Sequence, residues 1–254
     1  MKLAVILVIT IIIVGYLLMP VKEGYDSPYS SNYDLETPEY VKNNINLIQS
    51  YLFSDDELEH VKVLYSILNP PDGSTILDMG CGTGEVSKLF KQINPSLNMI
   101  AVTNSKTQQD IATAKGVNTI LTDYHSVPLP DGSADIAMFF ESMGYGDNDK
   151  LLAECRRVLK PGGLVFVKDF FGCEKDKDTY YDLWKYTFYS PTTMEKVALK
   201  NNFKIVSREK LKVEDKYFRK FIDFYEANKE LQKFHGFDRF AICNYPMTYI
   251  LQKH

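Results

Sequence analysis

The chain has 254 residues and a formal net charge of −4, with 45% hydrophobic and 24% charged residues. That size and composition suit one domain with a large core plus appendages, and exclude a disordered or fibrous chain. The acidic balance leaves no electrostatic footprint for wrapping duplex nucleic acid, so no nucleic-acid partner is expected.

Residues 3–19, LAVILVITIIIVGYLLM, carry no charge, and only Thr10 is clearly polar. As a helix they span roughly 25 Å, near the lower limit for crossing a bilayer. A cleavable signal peptide is the rival reading. The apolar run exceeds the usual h-region, however, and no A-x-A-like site precedes Pro20, which favours an uncleaved single-pass anchor over residues 1–20. Residues 21–37, rich in Tyr, Ser, Asp, Asn, Gly and Pro, read as a linker. A domain over 38–254 would then open with two amphipathic helices. The second has a capping box at Ser54 and Glu57, with Leu58, Val61, Leu64, Ile67 and Leu68 at helical spacing.

Strand and helix alternate from there. TILDM (75–79) is a short apolar strand and 85–92 a helix; NMIAVT (98–103) is a strand, and SKTQQDIATAKG a helix closed by Gly116. VNTILTD (117–123) and ADIAMFF (134–140) are two further strands. The next helix carries Leu151, Leu152, Cys155, Val158 and Leu159 on one stripe, and Pro161-Gly162-Gly163 ends it before the strand LVFVKDF. FKIVSREKL and PMTYILQK give two more. This alternation predicts an α/β fold: a doubly wound, mostly parallel, seven-stranded sheet with helices on both faces. Aromatic residues crowd 170–190 and 211–244, which predicts a cap lined by rings.

Four cysteines (Cys81, Cys155, Cys173, Cys243) are scattered without C-x-x-C, and four histidines lack ligand spacing. Reduced thiols and no metal site are expected. The chemistry concentrates instead in ILDMGCGTGEVS, residues 76–87, where Gly80, Gly82 and Gly84 follow the first strand. A glycine turn at that place lets main chain approach a ligand closely. The spacing is G-x-G-x-G, with Glu85 where a dinucleotide fingerprint has its third glycine, and Asp78 lies two residues before the turn. Such a turn suits a nucleotide without a pyrophosphate and with positive charge, as in S-adenosylmethionine.

Three segments in order, LDMGCGTGEVS, LTDYHSVPLPDGSADIAMFFES and RRVLKPGGLVFV, resemble the motifs of the class I (Rossmann-like) S-adenosylmethionine-dependent methyltransferases. The resemblance covers roughly Asp55 to His254. The pattern T-x-S-x-x-Q from Thr103, with DYH and FFESMGY, is similar to the branch of cyclopropane fatty acid synthases and of sterol and prenyl C-methyltransferases. It implies a methyltransferase using S-adenosylmethionine, with Asp78, Gly80, Cys81, Gly82, Gly84, Thr103, Asn104, Gln108, Asp123 and Tyr124 as cofactor-binding candidates. Asp123 would lie beside the adenine. Glu141, ending an apolar strand, and Tyr145 become the catalytic candidates, and the acceptor a small hydrophobic, lipid- or isoprenoid-like molecule. A protein or RNA methyltransferase, or a non-catalytic binding module, are the alternatives. The departure that favours the last is the absence of a carboxylate at the end of the second strand, where many relatives grip the ribose. Lys2 and the free amine favour a cytoplasmic N-terminus. A cytosolic cofactor instead places the catalytic domain in the cytosol.

Overall fold

The computed structural model describes residues 30–42, 54, 56–172, 186–212 and 245–254. The anchor, the start of the linker and most of the aromatic cap lie outside the described residues. Among the described residues no helix is long and apolar enough to cross a membrane.

Seven strands form one sheet in the order β3-β2-β1-β4-β5-β7-β6. β1 (Thr75–Met79), β2 (Asn98–Thr103) and β4 (Ala134–Phe140) have the predicted bounds, and β3 is shorter, Thr119–Leu121. β5 (Leu159–Phe171) is longer than predicted: Leu159 already pairs with Ala134, and a register shift absorbs the Pro-Gly-Gly before Leu164 meets Ile136. β6 (Phe203–Lys210) and β7 (Tyr245–Lys253) complete the sheet, and β7 runs antiparallel to both β5 and β6.

Successive residues of a strand face opposite sides, and the core divides accordingly. Ile76, Met138, Phe140 and Phe166 pack under α2 (Glu57–Leu68) and α3 (Glu85–Ile93) through Val61, Leu64, Leu68, Val86 and Phe90. Leu77, Phe139, Val165 and Val167 pack under α5 (Asn148–Val158) and α6 (Pro191–Lys200) through Leu151, Leu152, Cys155, Met194 and Ala198. Leu151, Leu152, Cys155 and Val158 of the predicted stripe lie buried on α5, whereas Leu159 belongs to β5.

Two helix starts differ from the sequence expectation. The N-cap of α2 is Asp56, whose carboxylate accepts from the Glu59 N–H at 2.9 Å, while Ser54 Oγ accepts from the Asp56 N–H. The acid wins because it is the stronger acceptor at a helix N-terminus. The predicted linker is helical from Ser30: α1 spans Ser30–Lys42 with Pro38 inside it. Tertiary contacts override its turn-like composition, since Thr37 and Tyr40 are buried and Asp34 bonds to α4 (Lys106–Ala114).

Gly84 sits at φ +76°, where a Cβ would lie 2.8 Å from the Ala112 Cβ; Gly132 sits at φ +63° with open space around it. Alanine at either position meets the left-handed penalty of about 1–2 kcal/mol, and at Gly84 it also overpacks. Urea unfolding should show Gly84→Ala costing about 1–3 kcal/mol more than Gly132→Ala. Equal costs would mean the turn is not held by this packing.

Candidate active site

Strand order reverses between β1 and β4, and in open α/β sheets ligands sit beyond the carboxyl ends of the strands at such a point. The glycine turn leaves β1 there. Gly80, Gly82 and Gly84 all have positive φ, at 86°, 54° and 76°. Gly80 is bare because its neighbour is protein: a Cβ would fall 2.6 Å from the Ser142 Cβ. Ser142 in turn donates to the Met79 carbonyl at 2.6 Å, and the Tyr124 hydroxyl donates to the Ser142 carbonyl at 3.1 Å. The Gly80 and Cys81 N–H groups both donate to the Val102 carbonyl at 2.9 Å. Gly82 is half-buried, and its N–H has no protein partner among the described residues. It is the open donor of the turn.

Glu85 opens α3 and is itself buried. It pairs with Lys88 at 2.7 Å and Lys115 at 2.8 Å; burial would raise its pKa, but the two ammonium groups hold it low. A carboxylate thus fills the helix N-terminus where a pyrophosphate would otherwise bind. This agrees with a nucleoside ligand lacking that group.

Several predicted binding residues serve the scaffold. Asp78 is buried in β1, accepts from Ser87 Oγ at 2.6 Å, and burial pushes its carboxyl up to about 7. Cys81 packs with Ala101, Ala112 and Val117, and burial, then Asp78, raises its thiol pKa, so it stays neutral. Thr103 donates to Gln108 Oε1 at 2.8 Å, and Gln108 Nε2 donates to Thr37 Oγ1 at 3.4 Å, so this glutamine is an internal tie. Asn104 is half-buried, and its side chain has no protein partner among the described residues.

Asp123 Oδ1 accepts from the His125 N–H at 2.8 Å and lies 2.6 Å from His125 Nδ1. His125 Nε2 accepts from the Asp147 N–H at 3.1 Å, which assigns the ring proton to Nδ1. Burial would raise the Asp123 pKa; the His125 bonds outweigh it and hold the carboxyl low. Its Oδ2 has no protein partner among the described residues, so the acceptor oxygen is held in place by His125 and left open. Gly82, Asn104, Asp123 and Tyr124 therefore fit an adenosyl ligand: an open donor, an open amide, an open anionic acceptor and a ring.

On the β4–β5 side, Glu141 has φ +52°, and its N–H continues the ladder to the Lys168 carbonyl at 2.8 Å. Its carboxylate pairs with Lys168 Nζ; Lys168 is 1% exposed and Glu141 15%. His60, on α2, is held neutral with its pKa lowered to about 3 by burial and then by Lys168. Next along β5, the buried Asp169 accepts from the Tyr186 hydroxyl, and burial pushes its carboxyl up to about 7. Tyr145 stands edge-on to Tyr186 at 4.5 Å and to Tyr33 of α1 at 5.3 Å. Glu141 and Tyr145 are thus brought to one place. Lys168 and Asp169 are not among the residues singled out from the sequence, and Tyr186 enters there only as one ring of the aromatic region 170–190; the available signal was the pair of charges in the apolar strand LVFVKDF.

Residues 77–167 match the family model described as a methyltransferase domain. The ubiquinone/menaquinone biosynthesis C-methyltransferase of Cupriavidus metallidurans is 34% identical over 138 residues, 51% of this chain and 56% of that protein. The demethylmenaquinone methyltransferase of Thermotoga maritima is 32% identical over 126 residues, 48% of this chain and 54% of that protein. The chain spans about half the length of these curated relatives. Among solved structures, geranyl diphosphate C-methyltransferase from Streptomyces coelicolor superposes with a TM-score of 0.73 at 14% identity, covering 93% of this chain and 100% of that one. The [4+2]-cyclase SpnF superposes at 0.74 and 19% identity, covering 88% and 94%. Residues 77–167 form a methyltransferase domain by that match, and the sheet order and glycine turn are those of a Rossmann-like fold. The domain match and the C-methyltransferase relatives support an S-adenosylmethionine-dependent methyltransferase, with S-adenosylmethionine as cofactor.

Asp78 supplies a pH test of this burial. It keeps its proton in the folded chain up to about pH 7 and ionises near 3.8 when unfolded. Its contribution to stability is complete below about pH 4 and is lost as pH rises through about 7. Urea unfolding from pH 4 to 8 should show the unaltered chain losing stability relative to Asp78→Asn across that window. Parallel curves would show that the carboxyl is not buried as described.

Proposed function

We propose that the protein transfers a methyl group from S-adenosylmethionine to a carbon atom of a small, hydrophobic acceptor. The observation that carries this reading is Glu141, a carboxylate paired with a sealed lysine at the mouth of the switch point. The C-methyltransferase relatives and the geranyl diphosphate neighbour support an apolar acceptor methylated on carbon.

The cofactor, when bound, supplies a methyl group on a positively charged sulfur. The main chain at Gly82 and the open oxygen of Asp123 would hold it, with Tyr124 as a wall. Fixing donor and acceptor in near-attack geometry is worth roughly 7–11 kcal/mol. No acid is needed for a neutral thioether to leave. A carbon acceptor must shed a proton once it gains the methyl group, and Glu141 is the base in reach. The rings of Tyr145 and Tyr186 border that spot and favour a cationic centre. Asp169 fixes the Tyr186 ring through its hydroxyl.

Glu141→Gln strands the Lys168 charge and should cost about 3–5 kcal/mol of stability, as for other broken buried pairs. Adding Lys168→Met should restore most of that stability. Calorimetry on the double variant should give unchanged affinity for S-adenosylhomocysteine. Methyl transfer to demethylated quinol or prenyl acceptors should stay roughly 100-fold or more below that of the unaltered chain. Full turnover by the double variant would remove Glu141 from the chemistry.

Residues 1–20 are proposed, on composition, as a single-pass anchor, and the need for a cytosolic cofactor puts the domain on the cytosolic side. Carbonate-resistant sedimentation with membranes, abolished by deleting residues 1–20, is the expected result; an unchanged supernatant fraction would refute the anchor.

A further inference from the structure

The end of β2 lacks a carboxylate of its own, yet one is present in space. Asp34, on α1 and some seventy positions upstream, accepts from Ser105 Oγ and from the Thr107 N–H at 3.1 Å. Both bonds use Oδ1. Oδ2 has no protein partner among the described residues, and the side chain is half-buried. Asn104, one residue before the serine it binds, carries a second unengaged polar group.

We infer that α1 completes the nucleoside end of the cofactor site, with Asp34 Oδ2 accepting from a ribose hydroxyl and Asn104 beside it. The inference rests on the cofactor assignment above. A Rossmann-type sheet places the ribose at the end of its second strand, where an acid meets the hydroxyl. A vicinal diol presents two donors, and an ionised oxygen is the acceptor that binds them most strongly. The cap and the ribose acceptor are then two ends of one carboxylate: the first fixes the second. The link between α1 and the site is reinforced at Thr37, which receives the Gln108 amide at 3.4 Å, and at Tyr33, whose ring meets Tyr145. A carboxylate imported from outside the Rossmann unit also answers the strongest argument for a non-binding relic.

The test uses Asp34→Asn in the full chain, which keeps an Oδ1 acceptor for the cap and replaces the ionised Oδ2 by an amide donor. Calorimetry should show affinity for S-adenosylhomocysteine falling roughly 10- to 100-fold. Affinity for its 2′,3′-dideoxy analogue should stay within about twofold of the unaltered chain's. Ser105→Ala removes one of the two bonds that hold Oδ1 and should lower the thermal midpoint while reducing the ratio of the two affinities by less than Asp34→Asn does; if Asp34→Asn does not fold, Asp34→Ser replaces it. Equal losses for both ligands, or no loss for either, would overturn the inference while leaving the cofactor assignment intact. Failure of the unaltered chain to bind S-adenosylhomocysteine would overturn both.

Discussion

Everything about this site depends on how closely β1 and β4 end beside each other. Gly80 has no side chain because Ser142 occupies its place, and Ser142 is locked to Met79 by a short hydrogen bond. That contact joins the turn bearing the open Gly82 N–H to the turn bearing Glu141. A methyl group can pass only if donor and acceptor are held within a few ångströms, so the two turns must be welded together. Glycine here serves protein packing first, and access for a ligand second.

The acceptor side is governed by a different constraint, the need to compensate a charge with no water around it. Lys168 is sealed between the sheet and α2, and Glu141 is its carboxylate partner. The left-handed backbone at Glu141 accompanies that pairing, and His60 stays neutral chiefly because it is buried and then because Lys168 lies near it. Asp169, facing the other side of the strand, has its carboxyl pushed up to about 7 by burial and ties Tyr186, whose ring fills the space over Gly144. The two acidic groups next to one lysine therefore orient different walls of the same site.

Much of this was legible in the sequence. Short apolar runs bounded by turns gave β1, β2 and β4, and the glycine spacing after β1 marked the ligand-binding turn. What local pattern could not supply is partnership. Asp78, Thr103 and Gln108 look like ligand residues by position but turn inward, because a buried polar atom must find a partner and the nearest ones are protein. Lys168 reads as one polar residue in a strand until its neighbours from α2 and β4 are placed around it. Residues 30–37 have the composition of a tether, and only the contacts of Asp34 and Thr37 with the helix after β2 make them helical. Local composition decides such a segment only when nothing distant docks on it.

The antiparallel insertion of β7 between β5 and β6 bears on what can exist as an independent unit. The family match ends at residue 167, yet β5 is hydrogen-bonded along Leu164–Phe171 to β7. A fragment trimmed to residues 77–167 would present that row of main-chain groups, flanked by Val165 and Phe166, as an unsatisfied sheet border. Such a border recruits other chains. The recognisable catalytic core of this molecule is therefore smaller than the smallest piece that would remain monodisperse.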